Sequence, residues 1–250
     1  MGSDMAAEII EIDRPGEWPG DLTAYVKAAA DAVGDVATYA ELREDGALGD
    51  LDLGLRELLV GRLLRTFHAT RLLDYEVGDV KADGLRRLTP QLLQDRQDKA
   101  FAAGVITAGE HEALRESSVF KTDPYVKYRV GKICVIGNRQ PLHDRRIGDQ
   151  FSFWGGEAQY SSELWSKSSS DRVKKLGRPA LVVALLNASN PKVAVLSYRE
   201  LIYPFVGSYI GLPEVGCQID YEADVLGDQI ESVWQPGDAE YDQFPRFPRS

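Results

Sequence analysis

The order in which two periodicities occur along the chain most constrains its fold. From Asp21 to Glu116, apolar residues recur at helical spacing in several segments. From Gly131 onward the chain breaks into short apolar runs separated by turn residues. Helices gathered first and strands later predict an α+β fold. "DLTAYVKAAADAVGDVATYAELRE" reads as one helix with Asp21 as N-cap. "DLDLGLRELLVGRLLRT" reads as a second, with Leu55, Leu58, Leu59, Leu63 and Leu64 near one stripe. "LLDYEVGDVKADGL" is a helix closed by Gly84. "TPQLLQDRQDKAFAAGVI" opens with Thr89 and Pro90 as an N-cap and N1 pair, and "TAGEHEALRES" repeats the start signal. "TFHATRL" is a strand set among these helices. Further strands are "AEIIEID", "GKICVIGN", "DQFSFWGG", "PALVVALLN", "KVAVLSY", "GCQIDYEADVL" and "DQIESVWQ", with short helices at "EAQYSSELWSKS" and "YRELIYPFV". The expected organisation is a helical section over residues 1–64, a core over 65–236 and an irregular tail over 237–250.

Composition narrows the function classes. Hydrophobic residues at 44% and charged residues at 27% suit a globular chain. A net charge of -10 argues against nucleic-acid binding through the overall field. Cys134 and Cys217 have no CxxC or CxxH spacing, so neither a disulfide framework nor a structural zinc is expected. No apolar stretch is long enough to span a bilayer. The N-terminus lacks a basic region followed by an apolar run, so no signal peptide is expected, and the reading places the chain in the cytoplasm of a bacterium. The dinucleotide GxGxxG, the phosphate loop, HExxH and the GxSxG elbow are all missing from the sequence.

Three segments carry residues suited to chemistry. "RTFHATRL" places His68 in a short strand, and "ADGLRRL" follows it. "QFSFWGGEAQYSSELW" runs aromatic residues into Gly155 and Gly156, a pair that lets a backbone or a flat ligand approach closely. Phe153, Trp154 and Tyr160 offer stacking faces there. "CQIDYEADVLGDQIESVWQPG" sets Glu222 in a strand, facing either solvent or a cleft.

Taken in order, these segments resemble the ADP-ribosyltransferase fold in its histidine-tyrosine-glutamate branch, which includes diphtheria toxin and the poly-ADP-ribose polymerases. Phe67-His68-Ala69-Thr70, then a helix and Gly84-Leu85, match the opening motif, with Ala69 where the family usually has glycine. "FSFWGGEAQYSSE" looks like the middle motif, with Tyr160 nearest the helix aromatic. "YEADVLGDQIESV" looks like the last, with Glu222 and then Ile230 and Val233. The resemblance spans residues 65–236 and implies a split β-sheet core.

What it implies for chemistry is cleavage of NAD, bound as substrate, at the bond between nicotinamide and ribose. Glu222 would steady an oxocarbenium-like transition state, with Glu157 and Glu231 as alternatives for that carboxylate. His68 would hold a ribose, with Thr70 beside it, and the backbone at Ala69 would pair with the nicotinamide amide. Tyr160, Phe153 or Trp154 would stack on the nicotinamide ring, against the close approach at Gly155 and Gly156. Arg71 and Arg139 are candidates for the pyrophosphate. The expected activity is mono-ADP-ribosyl transfer to a protein, nucleic acid or small acceptor. An intracellular toxin or defence effector with an antitoxin or immunity partner would suit it. An NAD glycohydrolase is the close variant. A non-catalytic interaction protein is the competing class, suggested by the acidic charge and the aromatic, Pro-rich tail.

Overall fold

The computed structural model describes residues 7–44, 48–122, 126–144, 147–155, 171–187, 189–190, 193–195 and 200–249. Gly156, Glu157, Tyr160 and the helix expected at "EAQYSSELWSKS" lie outside them.

The architecture is α+β, as the order of periodicities predicts. The strands are β1 (Ile9–Ile10), β2 (Leu63–Leu72), β3 (Ile133–Ile136), β4 (Arg178–Asn187), β5 (Val193–Val195), β6 (Gln218–Tyr221) and β7 (Ile230–Trp234). Their order in the sheet is β5-β6-β3-β2-β4-β7, with β1 joined to β2. Pairing is antiparallel for β2 with β3, where Phe67 faces Ile136, and for β5 with β6, where Val193 faces Tyr221. β1 runs parallel to β2, with Ile9 opposite Leu63. The helices are α1 (Gly20–Val33), α2 (Tyr39–Glu44), α3 (Asp52–Leu58), α4 (Asp74–Asp83), α5 (Pro90–Ala102), α6 (Ala108–Glu116), α7 (Val119–Thr122), α8 (Ile147–Gln150), α9 (Asp171–Lys174), α10 (Ile202–Tyr209) and α11 (Ala239–Asp242).

The chain forms two compact units built from interleaved segments. Unit 1 takes Met1–Phe67, Cys134–Leu142 and Ala184–Tyr221, and unit 2 takes His68–Ile133, His143–Val183 and Glu222–Ser250. The cause lies in the pairing. β1 and β3 both add to β2, so distant parts of the chain share one sheet.

In unit 1 the core includes Ile10, Ile12, Leu22, Val26, Leu42, Leu55 and Phe205, all fully buried or nearly so. Trp18 packs on Phe205 with ring centroids 5.1 Å apart, and its Nε1–H donates to the Glu11 carbonyl at 2.7 Å. The single helix expected from Asp21 is two helices. Thr38 Oγ1 accepts the Glu41 N–H, and the Glu41 carboxylate accepts from Ala37 and Thr38, so a new N-terminus interrupts the apolar pattern. The leucine stripe is also divided. α3 ends at Leu58, and Leu63 and Leu64 belong to β2.

In unit 2 the helix signals hold. Thr89 Oγ1 accepts the Leu92 N–H at the head of α5, and Thr107 exchanges hydrogen bonds with Glu110 at the head of α6. The strand expected at "DQFSFWGG" is instead α8 followed by turns. Phe151 and Trp154, three residues apart, are both fully buried, a spacing that suits one side of a helical turn and not a period of two. The tail holds the short α11 and continues in turns. Tyr241, Phe244 and Phe247 are buried, and Phe247 packs on Phe151 at 4.9 Å between centroids.

Candidate functional site

β2 carries the histidine motif between β3 and β4. Leu64, Thr66, Phe67, Ala69 and Thr70 are buried along it, and His68 is half-buried. Side chains alternate across a strand, so His68 shares a face with Thr66 and Thr70 and opposes Phe67. Thr66 Oγ1–H donates to the Ala184 carbonyl at 3.0 Å. On the opposite face, Arg139 lies over the Phe67 ring at 5.3 Å. Arg139 pairs with Glu11 and Asp13, so its charge is already compensated.

Just beyond the histidine, Arg71 is buried and donates to the backbone carbonyls of Phe151, Lys175, Leu176 and Gly177. Its guanidinium therefore ties two turns to the end of β2. Burial pushes its pKa down from the ordinary value. These carbonyls occupy the donors that a pyrophosphate would use.

A buried carboxylate sits one turn into the following helix. Glu76 accepts from the Leu73 N–H at 2.7 Å, from Trp154 Nε1–H at 3.0 Å and from the Arg96 guanidinium. Arg96 also donates to the Arg71 carbonyl at 2.9 Å and stacks on Trp154 at 5.0 Å. Burial opposes ionisation of Glu76. The Arg96 charge and the three donors outweigh it and hold the carboxyl below its ordinary range. The sequence reading did not single out Glu76 or Arg96. The position of Glu76, three residues after Leu73 at a helix start, is a capping signal that could have found it. Its partners lie 20 and 78 residues away along the chain, where no local pattern points to them.

This network settles the position of Trp154. The indole is fully buried, packed with Leu73, Ala100, Ile106, Leu114 and Val173, and presents no face to solvent. Phe153 is half-buried, and Gly155 turns the chain with a φ of 95°.

Glu222 is exposed and directly follows β6. In β6, Asp220 accepts from Cys134 Sγ–H at 3.3 Å, which puts Asp220 on the same sheet face as Ile136 and Phe67. His68 points to the other face. Glu222 lies past the last residue of the strand, so this alternation does not fix its direction. Glu231 is exposed on β7.

The residues after Glu222 are held against the end of α4. Leu85 and Val225 form an antiparallel bridge, each N–H donating to the other's carbonyl at 2.9 Å. Gly84 has a φ of 89°, and a Cβ there would fall 1.8 Å from the Val225 carbonyl oxygen. Gly227 faces Ala82 as closely, with a Cβ position 2.1 Å from its carbonyl oxygen. Asp224 Oδ1 accepts the Arg87 backbone N–H at 2.8 Å and its Nε–H at 3.2 Å. These bonds hold the Asp224 carboxyl below its ordinary range. Gly84-Leu85 and the Glu222 segment, far apart in sequence, thus meet inside unit 2, which also contains His68.

No protein-family model, curated protein or solved structure matches the chain.

Proposed function

We propose that the chain binds NAD and cleaves its bond between nicotinamide and ribose, transferring ADP-ribose to an acceptor. The observation that carries this reading is the bridge between Leu85 and Val225, which brings Gly84-Leu85 of the opening motif against the segment that begins with Glu222. In this reading Glu222 accepts a hydrogen bond from a ribose hydroxyl and steadies the positive charge that develops on C1 and the ring oxygen as nicotinamide leaves. An exposed carboxylate can meet an incoming substrate without first breaking a protein contact. His68 holds a ribose, and the backbone at Ala69 pairs with the nicotinamide amide. Trp154 and Arg71 are committed to the protein's own packing, so ring stacking falls to Phe153 or Tyr160. Transfer to an acceptor inside a bacterial cell, under control of an antitoxin or immunity partner, belongs to the same proposal. Water as the acceptor would make the chain a glycohydrolase.

The test pairs isothermal titration with NAD and a time course of free nicotinamide, for wild type and Glu222→Gln. Wild type binds NAD and releases nicotinamide, and Glu222→Gln binds but releases it about 10²–10³-fold more slowly. Full turnover by Glu222→Gln would transfer the role to Glu231 or Glu157. Absence of both binding and release in wild type would overturn the NAD reading in favour of an interaction protein.

A further inference from the structure

The contacts between residues 82–87 and 222–227 are more extensive than closing a turn requires. Two glycines allow backbone to touch backbone, at Gly84 against Val225 and Gly227 against Ala82. Between them lies the two-bond bridge of Leu85 with Val225. Next to it, a side-chain carboxylate reads both a backbone and a side-chain donor of one residue, Arg87. Leu85 and Val225 are buried beneath this seam, whereas Asp224 and Glu222 are exposed along it and Arg87 is half-buried. An exposed ion pair contributes little to stability. This one instead fixes the backbone two residues from Glu222.

We propose that Asp224 and Arg87 are positioning residues that set the direction of the Glu222 carboxylate toward the ribose, a role that rests on the NAD reading above. The main part falls to Asp224 Oδ1, because it closes on the Arg87 main chain as well as on its guanidinium. A reacting group held even 1 Å out of place can cost about a hundredfold in rate while leaving binding intact. The seam therefore acts on turnover and not on NAD affinity.

The experiment compares wild type, Asp224→Ala, Asp224→Asn and Arg87→Ala. Steady-state nicotinamide release is followed in parallel with amide hydrogen exchange. Asp224→Ala lowers kcat by about ten- to a hundredfold with KM for NAD unchanged. Asp224→Asn, which keeps an oxygen acceptor for the Arg87 N–H, restores most of that loss. Arg87→Ala falls between the two. Exchange at residues 222–227 quickens in Asp224→Ala while the rest of the chain keeps its protection. Wild-type kcat in Asp224→Ala, a rise in KM alone, or an equal loss in Asp224→Asn would overturn the positioning role. If wild type itself releases no nicotinamide, the NAD reading falls and takes the catalytic part of the inference with it. The exchange rates then decide separately whether Asp224 holds the segment, and unchanged exchange would overturn that too.

Discussion

Glu76 is one acceptor shared by three donors, the nearby Leu73 N–H and two side chains from distant parts of the sequence. Replacing it with alanine strands the Arg96 charge and leaves the Leu73 and Trp154 N–H groups without their acceptor. The expected loss is about 3–5 kcal/mol, the range for removing one partner of a buried pair, measured by urea unfolding at neutral pH. The carboxylate also makes a defined contribution to acid sensitivity. Its folded pKa lies below the ordinary 4.5. Its contribution is therefore present above that value and is lost as pH falls through the lower, folded value. The stability gap between wild type and Glu76→Gln should narrow as the pH is taken below 4.5. A gap that stays constant into acid would assign the stabilisation to packing of the side chain and not to its charge.

At the level of the element, α4 contains two glycines with opposite expectations. Gly78 is exposed within the helix, and nothing lies within 4 Å of a Cβ built there. Gly78→Ala should stabilise by roughly 0.5–1 kcal/mol, because alanine loses less backbone entropy in a helix. Gly84 ends the same helix in a left-handed conformation, against the Val225 carbonyl. Gly84→Ala must move the Val225 segment or abandon the turn, and should cost more than the roughly 1 kcal/mol of an ordinary left-handed strain. Thermal unfolding of both variants checks the pair. Helix propensity alone would not lower Tm in either variant, whereas the close approach at Gly84 should lower it there by clearly more than Gly78→Ala raises it.

For the whole molecule, the described helices include none long and apolar enough to cross a membrane. The aromatic tail, which on sequence grounds resembled a docking segment, is part of unit 2. Tyr241, Phe244 and Phe247 interlock with Phe151, and the Tyr241 hydroxyl donates to the Pro248 carbonyl at 2.9 Å. Burial drives the Tyr241 phenol well above its ordinary pKa. Phe247→Ala should destabilise the protein by about 3–5 kcal/mol, as for other large-to-small changes in a core. A change within about 0.5 kcal/mol, typical of surface sites, would show that the tail is dispensable.

Local pattern was enough for the helix starts at Thr89 and Thr107, the glycine end of α4, the strand nature of "TFHATRL" and "PALVVALLN", and the α+β class. Each rests on a helical period, a short run of strand-forming residues or a cap within four residues. The break after α1 has a local signal, the pairing of Thr38 with Glu41, which the apolar period obscured. The transfer of Leu63 and Leu64 into β2 and the burial of Phe151 and Trp154 in turns required partners that the local pattern does not contain. So did the interleaving of the two units, since the chain pairs β2 with strands from both directions along the sequence. The candidate site divides in the same way. His68 and Glu222 stood out because a histidine or a carboxylate is conspicuous in a strand-like run. Arg96, Asp224 and Arg87 did not, because what marks them is a hydrogen-bond partner many residues away, and Glu76 offered locally only its capping position. The chain's own sequence determined its periodicities and caps, which are local free energies. Only the tertiary structure decided which polar groups are taken out of water together, because burial is a property of the packed whole.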